Sequence, residues 1–71
     1  MDLIYTEHAK DRLKERSITT DEVEQAISQP DIQTASGKRI IMVKYLKGKR
    51  FEVVTAREDN RTIIITAYYA S

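Results

Sequence analysis

KRIIMVKYLKGKRFEVVTAR, residues 38–57, decides the fold of this 71-residue chain. Its apolar residues recur on a period of two, the period of a strand with one face buried. Lys47-Gly48 in the middle reads as a two-residue turn, because glycine takes positive φ without strain. The stretch is therefore a hairpin, Lys38–Lys47 followed by Arg50–Arg57. Asp59-Asn60 reads as a second turn leading into a third strand, Thr62–Tyr69. With these turns the register follows. One face would carry Ile41, Val43, Tyr45, Val54, Ala56, Ile63, Ile65, Ala67 and Tyr69. The other would carry Met42, Lys44, Phe51, Val53, Thr55, Arg57, Ile64, Thr66 and Tyr68. The first set is the more apolar and is expected to meet the helices.

Upstream the period lengthens. Thr6 is a good N-cap, and a first helix is expected to run to about Arg16 with Ala9 and Leu13 as a narrow apolar stripe. Thr19-Thr-Asp-Glu22 fits a capping box, and Ile18 before it can staple onto Val23. A second helix over about 19–29 follows, with Val23, Ala26 and Ile27 buried and Pro30 ending it. Leu3-Ile4-Tyr5 is a short strand or an extended lead-in. The expected fold is α+β: two N-terminal helices packed on a three-stranded antiparallel meander, or four-stranded if Leu3–Tyr5 joins it.

Length and composition narrow the function classes. Seventy-one residues make one domain, residues 1–71. There is no cysteine, hence no disulfide framework and no thiolate metal site, and one histidine argues against zinc. No metal and no cofactor is expected. No apolar run approaches the roughly 20 residues of a membrane span, and no leader precedes the first motif, so the chain reads as soluble and cytoplasmic. The only glycines are Gly37 and Gly48, too few for a nucleotide-cradling loop.

The net charge of +1 hides an asymmetry. Residues 1–31 carry −4 and residues 32–71 carry +5. Lys38, Arg39, Lys44, Lys47, Lys49 and Arg50 fall in one segment without an acid. With Arg57 they form a candidate RNA-binding surface, since such a segment attracts polyanions or an acidic partner. The plain structural reading is a solvated hairpin whose lysines protect a sheet edge.

His8, Arg12 and Arg16 stand four residues apart in the first helix and share one face. An imidazole shuttles protons near neutral pH, and a guanidinium binds phosphate through two parallel hydrogen bonds. His8 would sit at the second helical position, where the helix dipole disfavours the imidazolium and leaves a proton acceptor. Thr66 and Tyr68, two apart on the last strand, share a face, and a tyrosine there stacks on a base or donates to phosphate. The plain alternatives are a solvent-facing histidine, arginines paired with neighbouring glutamates, and a tyrosine that covers the core.

His8-Ala9-x-x-Arg12-x-x-x-Arg16, then x-Ile18-Thr-x-x-Glu22-Val23, and the closing Ile64-Ile65-Thr66-Ala67-Tyr68 together resemble a family of small prokaryotic domains of unknown function. Its members open His-Ala-x-x-Arg-x-x-x-Arg-Gly-Ile-Ser and end Ile-Ile-Thr-x-Tyr. The resemblance spans nearly the whole chain, with Ser17 standing where the family usually has glycine. Such domains are similar to RelE/ParE-like and colicin-type toxin folds, many of which cut RNA without metal. The resemblance implies His8, Arg12, Thr66 and Tyr68 as functional positions.

The leading expectation is a toxin-like, metal-independent endoribonuclease. His8 would act as general acid or base, Arg12 with Arg16 or Arg57 would stabilise charge on phosphorus, and Tyr68 would position the nucleotide. The runner-up is a non-catalytic module binding RNA or a protein partner of antitoxin type. The two differ in whether His8, Arg12, Thr66 and Tyr68 share one cleft.

Overall fold

A computed structural model describes residues 2–70. Five strands and two helices follow in the order β1 (Leu3–Tyr5), α1 (Glu7–Glu15), α2 (Thr20–Ser28), β2 (Ile32–Ser36), β3 (Arg39–Leu46), β4 (Lys49–Glu58) and β5 (Arg61–Ala70). Both helices begin where the caps demand. The Thr6 hydroxyl accepts from the Ala9 N–H. At α2 the capping box is complete, with Thr19 accepting from the Glu22 N–H and the Glu22 carboxylate accepting from the Thr19 N–H. Ile18 and Val23 are both in the core, as a hydrophobic staple requires.

Helix α1 ends in a Schellman motif. The Ile18 N–H donates to the Leu13 carbonyl at 2.9 Å and the Ser17 N–H to the Lys14 carbonyl at 3.3 Å. This places Ser17 at φ 54, the left-handed region. Here a serine does a glycine's work, and leucine and isoleucine at either end of the motif bury themselves beside it.

The sheet corrects the expected meander. It is five-stranded and mixed, in the order β1-β5-β4-β3-β2. Strand β1 pairs parallel with β5, Leu3 opposite Thr62 and Tyr5 opposite Ile64. The remaining pairs are antiparallel. Strand β2 escapes a pattern-based reading because it lies at the edge with every residue exposed, leaving no alternation of apolar and polar to detect. The parallel pair depends on bringing residues 3–5 beside residues 62–64, which no local signal encodes.

The expected inward face is also reversed. The helices pack on Phe51 and Val53 of β4 and on Ile64 and Ala67 of β5, with Met42, Leu46 and Tyr69 at the margin. Ile41, Val43, Tyr45, Val54, Ala56 and Ile63 lie on the opposite face, which the helices leave uncovered and where Val43 is nonetheless buried, as the strand registers dictate. A one-residue bulge also moves part of β5 from one face to the other. Val54 pairs with Thr66 but Thr55 pairs with Ile64, so Ile65 has no partner. Past that residue the alternation of β5 changes phase, putting Ala67 and Tyr69 on the same side as Ile64. The Phe51 and Tyr69 rings then meet with centroids 4.7 Å apart. Ala9, Ala26 and Ala67 are fully buried, and their small side chains let helices and sheet approach closely. Thr55 is buried in the core, its hydroxyl donating to the Ile40 carbonyl at 2.8 Å.

Candidate functional site

Helix α1 lies along β5, and its two ends are tied to that strand. At the start, the Thr6 N–H and hydroxyl both donate to the Ile64 carbonyl. At the end, Arg16 Nη1 donates to the Ala67 carbonyl at 2.8 Å and to Thr66 Oγ1 at 3.3 Å. Strand β1 covers only Thr62–Ile64 of β5. Arg16 therefore caps the edge that β1 leaves open.

The bulge turns Thr66 and Tyr68 onto the uncovered face, next to a polar network. Tyr68 stands directly opposite Glu52, and its hydroxyl donates to Glu52 Oε1 at 3.2 Å. Arg50 Nε donates to Glu52 Oε2 at 3.0 Å, and Arg50 Nη1 donates to the Tyr45 hydroxyl at 3.4 Å. Burial, then the charge and hydrogen bond of Glu52, push the Tyr68 phenol above its usual range, while Arg50 and Arg16 pull it down. The hydrogen bond to Glu52 raises the Arg50 guanidinium further. Arg16, Thr66, Tyr68, Glu52, Arg50 and Tyr45 thus form one cluster from α1, β3, β4 and β5. Lys47 and Lys49, in and after the β3–β4 turn, lie at the same end of the sheet.

The other nominated residues lie elsewhere. The His8 side chain is exposed and forms no hydrogen bond among the described residues. It stands two helical turns from Arg16, a rise of roughly 12 Å along the axis. Arg12 donates to Glu15 on its own helix. The basic residues are divided by strand alternation and by strand length. Lys44 faces the helices, where its ammonium donates to the Gln29 carbonyl at 2.9 Å. Lys38 in the β2–β3 turn and Arg39 just after it lie at the opposite end of the sheet from Lys47, and Arg57 pairs with Thr62 near that far end. Only Lys47, Lys49 and Arg50 of the seven accompany the cluster.

Two members of the network went unnominated. Strand alternation assigns Tyr45 to the packing face. Glu52 carried a signal that sequence inspection could have used: it is the sole acid between Asp31 and Glu58, in the middle of a β-strand. An isolated carboxylate among β-forming residues needs a partner. Among the described residues no group of three or more metal-ligating side chains comes together. No described helix is long and apolar enough to cross a membrane.

A family model described as Domain of unknown function (DUF4258) matches residues 5–69, and the chain belongs to that family. No curated protein matches the chain, and no solved structure does. The match names no activity, so what the cluster does is argued from its chemistry.

Proposed function

We propose that this member of the DUF4258 family is a toxin-type, metal-independent endoribonuclease, working where Arg16, Thr66 and Tyr68 meet Glu52 and Arg50. The supporting observation is that convergence. Two guanidiniums, a hydroxyl, two phenols and a carboxylate, from the end of α1 and from β3, β4 and β5, stand together on the sheet face away from the helices. In this scheme Arg16 and Arg50 hold the scissile phosphodiester and neutralise charge as it builds on phosphorus. Tyr45 and Tyr68 provide aromatic faces for the flanking bases. Lys47 and Lys49 draw the strand in by its phosphates. Products would carry cyclic-phosphate ends, because the 2′-hydroxyl is the nucleophile.

The test is cleavage of single-stranded RNA by the purified protein with chelator present. Arg16→Ala should lower the rate by about 100- to 1,000-fold, the usual loss on removing one donor to a developing charge. Binding of an uncleavable 2′-deoxy analogue should weaken as salt rises. Activity seen only with added divalent metal would refute the reading.

A non-catalytic binding module is the second reading, and one observation favours it. Ile4, Ile32 and Tyr45 are exposed on or beside the uncovered face, the kind of surface an antitoxin-like protein covers. Tight RNA binding without cleavage would select it.

A further inference from the structure

We propose that Glu52 is the group that removes the 2′-hydroxyl proton in this cluster; the assignment rests on the endoribonuclease reading. The chain holds this carboxylate in a way that a solvated surface acid is not held. Its side chain is only 15% exposed, on a face whose neighbouring residues include the buried Val43. A charge in such surroundings is costly unless it is paired, and here both oxygens are engaged, Oε2 by Arg50 and Oε1 by Tyr68. These two bonds fix the plane of the carboxylate without exhausting it. Each oxygen keeps a lone pair that accepts a further hydrogen bond.

The surroundings also suit the substrate. A phosphodiester held by Arg50 would bring its adjoining ribose hydroxyl beside the carboxylate that Arg50 already touches. Arg16, whose charge is felt at the Tyr68 phenol, stands on the other side of the Tyr68–Glu52 pair. His8 has neither feature. It is exposed, no hydrogen bond from a described residue orients it, and it lies two helical turns along α1 from Arg16. Besides offering its ring to a base, Tyr68 positions the carboxylate through its hydroxyl.

The step balances without a metal or redox partner. Glu52 takes the proton from the 2′-hydroxyl, and the 2′-oxygen forms a bond to phosphorus. The bond from phosphorus to the 5′-oxygen breaks, and its electron pair leaves with that oxygen, which takes a proton from water. The hydroxide so formed takes the proton from Glu52. The products are a 2′,3′-cyclic phosphate and a free 5′-hydroxyl.

The deciding experiment is single-turnover cleavage of a single-stranded RNA oligonucleotide in chelator, across pH. It compares the full chain with Glu52→Gln, Glu52→Asp, Tyr68→Phe and His8→Ala. Affinity for the 2′-deoxy oligonucleotide and far-ultraviolet circular dichroism are measured on each variant. Glu52→Gln should lose at least about 100-fold in rate and the acid limb of the rate–pH profile, while binding the deoxy analogue at least as tightly. Glu52→Asp, which keeps the carboxylate, should recover part of the rate. Tyr68→Phe should lose less than Glu52→Gln, since it frees the carboxylate without removing it. A folded Glu52→Gln protein that cuts within about threefold of wild type with an unchanged pH profile overturns the assignment alone. So does loss of cleavage in His8→Ala when Glu52→Gln retains it. Absence of cleavage by the wild-type chain overturns the endoribonuclease reading, and the assignment with it.

Discussion

At the residue scale, Ser17 shows how a turn is specified more tightly than its composition suggests. The Schellman bonds from Ser17 and Ile18 require the residue between helix and core to take positive φ. A non-glycine residue there carries roughly 1–2 kcal/mol of strain, partly offset because glycine has more freedom to lose on folding. Ser17→Gly should therefore stabilise the protein by about 0.5–1 kcal/mol. In a domain of this length that raises Tm by several degrees, at roughly 4–8 °C per kcal/mol, readable by thermal melting. A melt unchanged or lowered would show that the serine side chain compensates. Arg16, one residue earlier, has a similar double position. It ends α1 and caps the β5 edge, and the same guanidinium stands in the candidate site.

At the scale of elements, the bulge in β5 governs both the core and the site. The unpaired Ile65 lets Ala67 and Tyr69 join Ile64 under the helices while Thr66 and Tyr68 turn outward to Glu52 and Arg16. Deleting Ile65 should make the pairing with β4 continuous and leave Ala67 and Tyr69 on the side of Ile64, because it removes the one residue that shifts the phase of the strand. The Phe51–Tyr69 contact and the Tyr68–Glu52 bond should both survive it. The expected cost is that of an ordinary single change, at most about 3 kcal/mol. Chemical denaturation of the deletion variant checks it, and a larger loss would mean that the bulge holds the sheet by more than its phase shift. Strand β2 contrasts with β5. It has no buried side chain and no charge, and its outer edge is free, so its pairing to β3 is the main thing that places it.

For the molecule as a whole, helix layer and sheet are joined by a titratable pair. The Tyr69 hydroxyl donates to Glu22, the residue that also completes the α2 capping box. Burial pushes the Glu22 carboxyl up, but hydrogen bonds from Tyr69 and Thr19 and the charge of Lys47 outweigh it, and the net shift is downward. Burial, then the bond and charge of Glu22, push Tyr69 up to about 12. The two shifts act on opposite limbs of the stability curve. Glu22 contributes stability that is complete above its unfolded value, near 4.3, and is lost as pH falls through its lower folded value. Tyr69 contributes stability that is complete below its unfolded value, near 10, and is lost as pH rises toward about 12. Urea denaturation across pH should therefore show a shallower acid limb for Glu22→Gln and a shallower alkaline limb for Tyr69→Phe. Limbs that match the wild type would show that the pair does not couple the two layers. By itself the sequence determined the helices, their caps and the β3–β4–β5 hairpins, because cap, staple and turn signals act within about five residues. The candidate site was legible only in part: Arg16, Thr66 and Tyr68 carried a motif, whereas Glu52 and Tyr45 became neighbours of Tyr68 only through strand register. Which face the helices cover, the parallel β1–β5 pair and the meeting of Arg16 with β5 were decided by the tertiary structure. Both faces of the sheet are apolar, so hydrophobicity could not choose between them. Bonds spanning 47 to 58 positions of the chain tie the helix ends to β5, and one unpaired residue in that strand brings Ala67 and Tyr69 to the covered side.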